Sequence, residues 1–379
     1  MKSVGIITYH HYYNYGTMLQ AYALQHKISE LGYRAELIDF KQDNSLSKYE
    51  MLKLRLRRLP VYIKERQKYK VLAQCRRQFC EREVLFEDFY KKYVVTSKRQ
   101  YTNTQQLVND PPSYNGYVVG SDQTWNPHVA NAPEAFFLPF VKDNQKKGSY
   151  GPSLAVNSLP GTKIKEYQRK LSKFSFLSCR EQSGAELLRK IIAKDVTCVL
   201  DPTLLLSEDE WADLCQYTFS SEPYILVYFL GERPEHRSCV KMIQKLTGWK
   251  VVSLPMAYLE MEDNKCERVW GGPSEFLALI KGAALVCTDS FHGTMFSINF
   301  KKNFYSFCKS KDSEEGSENS RLYSALDLFG LSDRIVKEGN KPDISSVDID
   351  YNYVMPLLEK EREKSVEYLK GMLREITKG

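Results

Sequence analysis

Short apolar runs, each stopping at a polar cluster and followed by a helix-period segment, recur along this chain and limit its fold more than any other feature. Ala283 to Cys287 reads as a buried strand, the cluster Thr288-Asp289-Ser290-Phe291-His292-Gly293 follows it, and Gly293 to Phe300 reads as a helix. At the amino terminus, Val4 to Thr8 leads through the loop His10 to Gly16 into a helix with Leu24, Ile28 and Leu31 on one face, ended by Gly32, and Arg34 to Phe40 supplies the next strand. This opening is a βαβ unit, whose natural connection is right-handed and parallel. Further strands are expected at Tyr114 to Gly120, Gly148 to Ala155, Phe176 to Glu181 and Thr197 to Leu200. After a helical connector from Leu204 to Glu222 the pattern resumes at Tyr224 to Leu230, Lys250 to Leu254, Ala283 to Cys287 and Asn303 to Phe307. The expectation is an α/β protein of two doubly wound domains, residues 1–204 with a basic helical excursion at 45–95, and residues 205–350. A terminal helix from Tyr353 to Lys378, within residues 351–379, is expected to pack back on the first domain, and Lys309 to Ser320 reads as a mobile loop.

The chain's 379 residues, 42% of them hydrophobic, are enough for two cores of ordinary size. No run approaches the ~18 apolar residues of a membrane span, and the opening apolar stretch is too short for a signal peptide. Nine cysteines without a CxxC pair suit a reducing compartment, so a cytoplasmic location is expected, with no zinc site or disulfide framework. Metal dependence is left open, because no His, Cys or carboxylate cluster stands at ligand spacing, and no metal site is assigned. The net charge of +7 is uneven: between Lys48 and Arg77 eleven Lys or Arg face only Glu50 and Glu65. Two amphipathic helices around Pro60 would present that charge to anionic lipid or to a polyphosphate-linked substrate. The plainer reading is a solvated helical excursion, and no motif supports nucleic acid.

The polar clusters at strand ends carry the candidate chemistry, since open α/β folds bind ligands at the carboxyl edge of the sheet. His292 is the first candidate, as an acid or base, against the alternative of a histidine that only caps a helix. In the first loop Gly16 is the one glycine near the helix start, so the GxGxxG of a dinucleotide site is missing. What the loop offers is a helix amino terminus at Gly16 and Thr17 able to receive an anion, aromatic rings at Tyr12, Tyr13 and Tyr15 suited to a sugar, and Asn14, which alternatively supports the turn. In Gly120-Ser121-Asp122-Gln123-Thr124-Trp125-Asn126, Asp122 offers a carboxylate and Trp125 a flat apolar face for a sugar ring, although Asp122 equally fits a cap. Arg180 supplies a planar fork for a carboxylate or phosphate, or a structural pair with Glu181 or Asp201. Asp201-Pro202 reads as a rigid turn, and Arg321 as a second anion ligand or a surface cation.

Together these elements resemble the polysaccharide pyruvyl transferase family. The loop Asn14 to Gln20, the block Gly120-Ser121-Asp122-Gln123-Thr124-Trp125-Asn126-Pro127, Ser178 to Glu181, Leu200-Asp201-Pro202, Asp289 to Gly293 and Asn319-Ser320-Arg321 fall in the family's order, from about Ile6 to about Arg334. The resemblance implies two Rossmann-like domains facing one another across a cleft, as in GT-B glycosyltransferases. It also implies transfer of pyruvate from phosphoenolpyruvate onto a sugar of a cell-surface polysaccharide precursor as a cyclic ketal. On that reading His292 is the general acid and Asp122 the acceptor base or positioning group. Arg180 and Arg321 hold the donor, with Ser290 and Gly293 beside it, while Asn14, Tyr15, Gly16, Thr17, Gln123 and Trp125 line the acceptor side. Phosphoenolpyruvate is then a co-substrate and no cofactor is implied; a lipid-pyrophosphate-linked acceptor at the inner membrane face would give the basic segment a purpose. One departure weakens the donor: many members carry an arginine where this chain has Ser290. The alternatives are a GT-B glycosyltransferase using a nucleotide sugar and an inactive carbohydrate-binding protein.

Overall fold

The computed structural model describes residues 1–378 except 44–59, 62, 130–132, 216–217, 257, 263–265, 312–317 and 345–346. The part of the basic segment before Pro60 and the middle of the Lys309 to Ser320 stretch therefore lie outside the described residues.

Two parallel sheets organise the chain. The first has the order β2-β1-β3-β4, from β1 (Ser3–Ile7), β2 (Arg34–Leu37), β3 (Gly116–Val119) and β4 (Lys147–Ser149). A two-stranded parallel ladder, β5 (Ser178–Cys179) with β6 (Thr197–Cys198), extends it through a bridge between Gly148 and Phe176. The second has the order β12-β11-β10-β7-β8-β9, from β7 (Tyr224–Tyr228), β8 (Lys250–Ser253), β9 (Glu267–Arg268), β10 (Leu285–Thr288), β11 (Asn303–Phe307) and β12 (Ile335–Val336). Among the described residues, the strand pairings within both sheets run parallel. The central strands β3, β7 and β10 are buried along their whole length, as strands covered by helices on both faces must be.

Helices join the halves. The Tyr15–Glu30 helix follows β1 but lays Tyr15, Met18, Leu19 and Tyr22 into a core shared with Tyr224, Leu226 and Tyr228 of the second sheet. Phe86 and Phe89 of the Arg76–Tyr93 helix fill the same core. The Tyr351–Ile376 helix, capped by Asp350, crosses back to the first sheet, where Met372 and Ile376 pack so tightly that a Cβ on Gly148 or Gly116 would lie 2.4 Å or 2.8 Å from them. Among the described residues no helix is long and apolar enough to cross a membrane.

Candidate active site

The carboxyl ends of β1, β3, β10 and β11 converge on a cavity of about 290 Å³ lined by residues of both halves. On one side stand Tyr9, Tyr12, Asn14 and Thr17, with Asp122 and Gln123; on the other, Asp289, Ser290, Phe291, His292, Lys309 and Arg321.

Each side chain is placed by local structure. Asn14 caps the Tyr15–Glu30 helix by accepting from the Thr17 amide, and the Thr17 hydroxyl donates to Asp122 Oδ2 at 2.8 Å. The other Asp122 oxygen accepts from the Gln123 amide at 2.9 Å, and Asp122 itself sits in the left-handed region at φ 66°. A non-glycine residue held there is strained, and such strain persists where the surroundings impose it. Across the cavity, Ser290 caps the Phe291–Asn299 helix, which puts His292 in the first turn. Asp289 accepts from the amides of Leu230 and Gly231 at 2.6 Å and 2.8 Å, tying the end of β10 to that of β7; burial raises its carboxyl above the ordinary value against those bonds.

His292 is 7% exposed and lies directly over Gly16: a Cβ there would be 2.1 Å from its Nδ1. Only glycine permits this approach, which brings an imidazole of one half onto the helix start of the other. His292 Nε2 lies 3.5 Å from Asp201 Oδ2, and Arg180 donates to the same oxygen at 2.6 Å. Burial works to raise the Asp201 carboxyl, but the adjacent His292 and Arg180, with the hydrogen bonds from Arg180 and Thr203, outweigh it and hold it well below the usual carboxylate range. Asp201 is thus more than a turn residue: its carboxylate lies beside the imidazole, whose buried Nε2 makes no hydrogen bond.

Arg180 and Arg321 flank the ring of Phe291 at 4.3 Å and 5.7 Å from its centroid. Arg321 lines the cavity and donates to Glu318 at 2.5 Å; burial pulls its guanidinium down from its ordinary value, the charge of Arg180 adding to this against Glu318. Arg180 lies behind Phe291, in an adjoining cavity of about 460 Å³. Its Nε and Nη2 are buried without an acceptor, as is the Ser183 hydroxyl in the same cavity, at the start of the Gln182–Ile192 helix.

Several residues read as ligand contacts stand elsewhere. Trp125 is fully buried, donates to the Phe136 carbonyl at 3.1 Å and stacks on Phe137, so it offers no face to a sugar. Tyr15 is likewise fully buried, stacked on Phe276 and donating to the Gly271 carbonyl at 2.6 Å, so it joins the halves instead of lining the acceptor side. Gly293 packs against Thr288 and Tyr228, where a Cβ would be 2.6 Å and 3.1 Å away, and its amide donates to Ser290; it is a close-packing residue. Gly16 serves His292 in the same way. Asp289 and Phe291 join the cavity from the cluster that carries His292, and Tyr9 and Lys309, which no motif singles out, line it next to the ends of β1 and β11.

Two Rossmann-like α/β halves with a site between their sheet edges define a protein of the GT-B fold class. UDP-GlcNAc 2-epimerase from Methanocaldococcus jannaschii, solved with UDP-GlcNAc and UDP, shares it at TM-score 0.51 and 13% identity, covering 99% of each chain. A second structure of that archaeon's UDP-GlcNAc 2-epimerase matches at TM-score 0.50 and 10% identity over 95% of this chain and 92% of that one. The MnaA–UDP structure from S. aureus does so at 0.50 and 10% over 98% and 91%. At such identities the likeness is one of fold. In sequence, residues 14–307 match the family described as Polysaccharide pyruvyl transferase, and the chain belongs to that family. A search of curated proteins found no significant match.

Proposed function

We propose that this protein transfers the pyruvyl group of phosphoenolpyruvate onto a sugar of a cell-surface polysaccharide precursor, forming a cyclic ketal. The observation that carries the reading is the meeting of His292, Asp122 and Arg321 around one cavity in a chain of the pyruvyl transferase family. Ketal formation needs a proton on the enol methylene carbon, attack of one sugar hydroxyl on the adjacent carbon, departure of phosphate, and closure by a second hydroxyl. His292, which lies beside Asp201, delivers the proton; Asp122, fixed by Thr17 and the Gln123 amide, accepts the proton of the attacking hydroxyl. The proton of the closing hydroxyl leaves with phosphate, so one diol and one phosphoenolpyruvate give one ketal and one inorganic phosphate.

Cations must hold the donor's carboxylate and leaving phosphate. Ser290 supplies none, but Arg321 and Lys309 line the same cavity, and the unmatched N–H groups of Arg180 call for an anion behind Phe291. Arg321→Gln should raise KM for phosphoenolpyruvate at least tenfold, and an unchanged KM removes it from the donor site. The primary test incubates the protein with phosphoenolpyruvate and a panel of lipid-linked and aryl glycosides, following phosphate release and a mass gain of pyruvic acid less one water. His292→Asn should lower turnover by about 10²–10⁴-fold with an unchanged circular dichroism spectrum, the usual worth of general acid catalysis.

A nucleotide-sugar glycosyltransferase is the competing reading, because fold neighbours were solved with UDP. Tight UDP binding with no turnover of phosphoenolpyruvate would select it, and no turnover with any donor would leave a carbohydrate-binding protein. The acceptor is read as lipid-pyrophosphate-linked: Val61 and Ile63, 45% and 68% exposed, are followed along the chain by the exposed cations Lys64, Arg66, Lys70, Arg76 and Arg77, a composition suited to anionic membrane. Sedimentation with anionic vesicles should weaken when these cations are neutralised.

A further inference from the structure

Behind the aromatic loop, the sequence pair His10-His11 meets Asp39, a residue 28 positions away that follows β2 as the histidines follow β1. One ligand-capable atom from each of the three side chains lies within 4.8 Å of the other two. His10 is 1% exposed, and its Nδ1 donates to the Thr8 carbonyl at 2.9 Å, while its Nε2 is buried with no partner. A carbonyl can only accept, so the proton is fixed on Nδ1 and the Nε2 lone pair is left free, which is how a metal-bound imidazole is normally held by its outer partner. His11 Nε2 is hydrogen-bonded to Asp39 Oδ1 at 2.5 Å, and Gln100 donates to the same oxygen at 3.2 Å. The hydroxyl of Tyr90, whose ring lies 6.0 Å from that of His10 and 5.6 Å from that of His11, is also buried without a partner.

We propose that His10, His11 and Asp39 form a divalent transition-metal site of zinc type, fastening the end of β1 to the end of β2. Two imidazoles and a carboxylate suit zinc, with water or the Tyr90 hydroxyl completing the set. Binding releases the proton of the His11–Asp39 hydrogen bond to solvent, and these two atoms need part only from 2.5 Å to the about 3.4 Å spanned by two ligands on a tetrahedral ion. Asp39 and His11 are 17% exposed at their side chains, which gives the ion a way in. The other grouping of this kind among the described residues, His26, Glu30 and Glu210, already holds a cation: Lys27 Nζ lies 2.6 Å from Glu30 and 3.1 Å from Glu210. The site stands apart from His292 and Asp122, but it anchors the loop that carries Tyr9 and Tyr12 to the cavity wall.

The test is metal binding by the full chain after chelator dialysis. Titration with Zn²⁺ should show one tight equivalent, and Co²⁺ should give visible d–d absorption without the near-ultraviolet thiolate charge-transfer band that the nine cysteines would produce. His11→Asn and Asp39→Asn should each weaken Zn²⁺ at least tenfold with an unchanged circular dichroism spectrum. No tight equivalent, binding unaffected by either substitution, or a thiolate-dominated cobalt spectrum would overturn the proposal. Should both variants fail to fold, His10→Gln and the wild-type cobalt spectrum decide it in the same way.

Discussion

At the scale of the residue, the site turns on how little room surrounds His292. Gly16→Ala would place a methyl group 2.1 Å from Nδ1, so the imidazole or the helix start must move. Overpacking of this kind costs about 1–3 kcal/mol, to be read from urea denaturation, and turnover should fall along with it. A variant that keeps both full stability and full activity would mean the contact is dispensable. Trp125 gives the opposite prediction: Trp125→Phe should cost stability through the lost bond to the Phe136 carbonyl, about 0.5–1.5 kcal/mol plus the lost packing, and leave KM for the acceptor unchanged. Both outcomes follow from burial, which a sequence motif does not report. The GSDQTWNP block is read correctly as lying at a strand end, but only coordinates separate Asp122, which lines the cavity, from Trp125 three residues on, whose ring turns into the core.

At the scale of the element, strand ends were legible and helix starts were not. The apolar runs marked β1, β3, β7, β8, β10 and β11 to within a few residues, because parallel strands covered on both faces are largely apolar, and the alternation Arg34-Ala35-Glu36-Leu37 marked β2. The helix after β10 was expected from Gly293, yet it begins at Phe291, because the Ser290 side chain caps it. That shift carries His292 from a loop into a first helical turn and so fixes its direction. The Tyr15–Glu30 helix shows the same limit: its inward face looked like the cover of one sheet, whereas its first turns belong to the core of the other. Tyr15→Ala should therefore destabilise by about 3–5 kcal/mol, the range for emptying a large aromatic site. Because the lost contacts join the halves, limited proteolysis should also begin to separate them; wild-type resistance in that variant would contradict the shared core.

At the scale of the whole molecule, the buried triad of Arg180, Asp201 and His292 couples activity, stability and pH across the two halves. Asp201 has a folded-state pKa below its unfolded value, so its contribution is fully present above the ordinary carboxylate range and is lost as pH falls through and below it. Asp201→Asn should abolish that dependence at acid pH and, at neutral pH, cost about 3–5 kcal/mol, since it leaves the Arg180 charge buried without its counterion. Denaturant midpoints measured from neutral to strongly acid pH check both parts, and parallel curves for the two proteins would refute the assignment. The sequence by itself determined the alternation of strand and helix, the parallel architecture and the family, because these rest on local periodicity and on motifs contiguous in the chain. The tertiary structure alone decided that Asp201 lies beside His292, that Gly16 makes room for it, that Arg180 and Arg321 both come up to the ring of Phe291, and that Asp39 meets His10 and His11. Those are contacts between distant segments, set by how two sheets and their shared core pack, and no local pattern of residues encodes them.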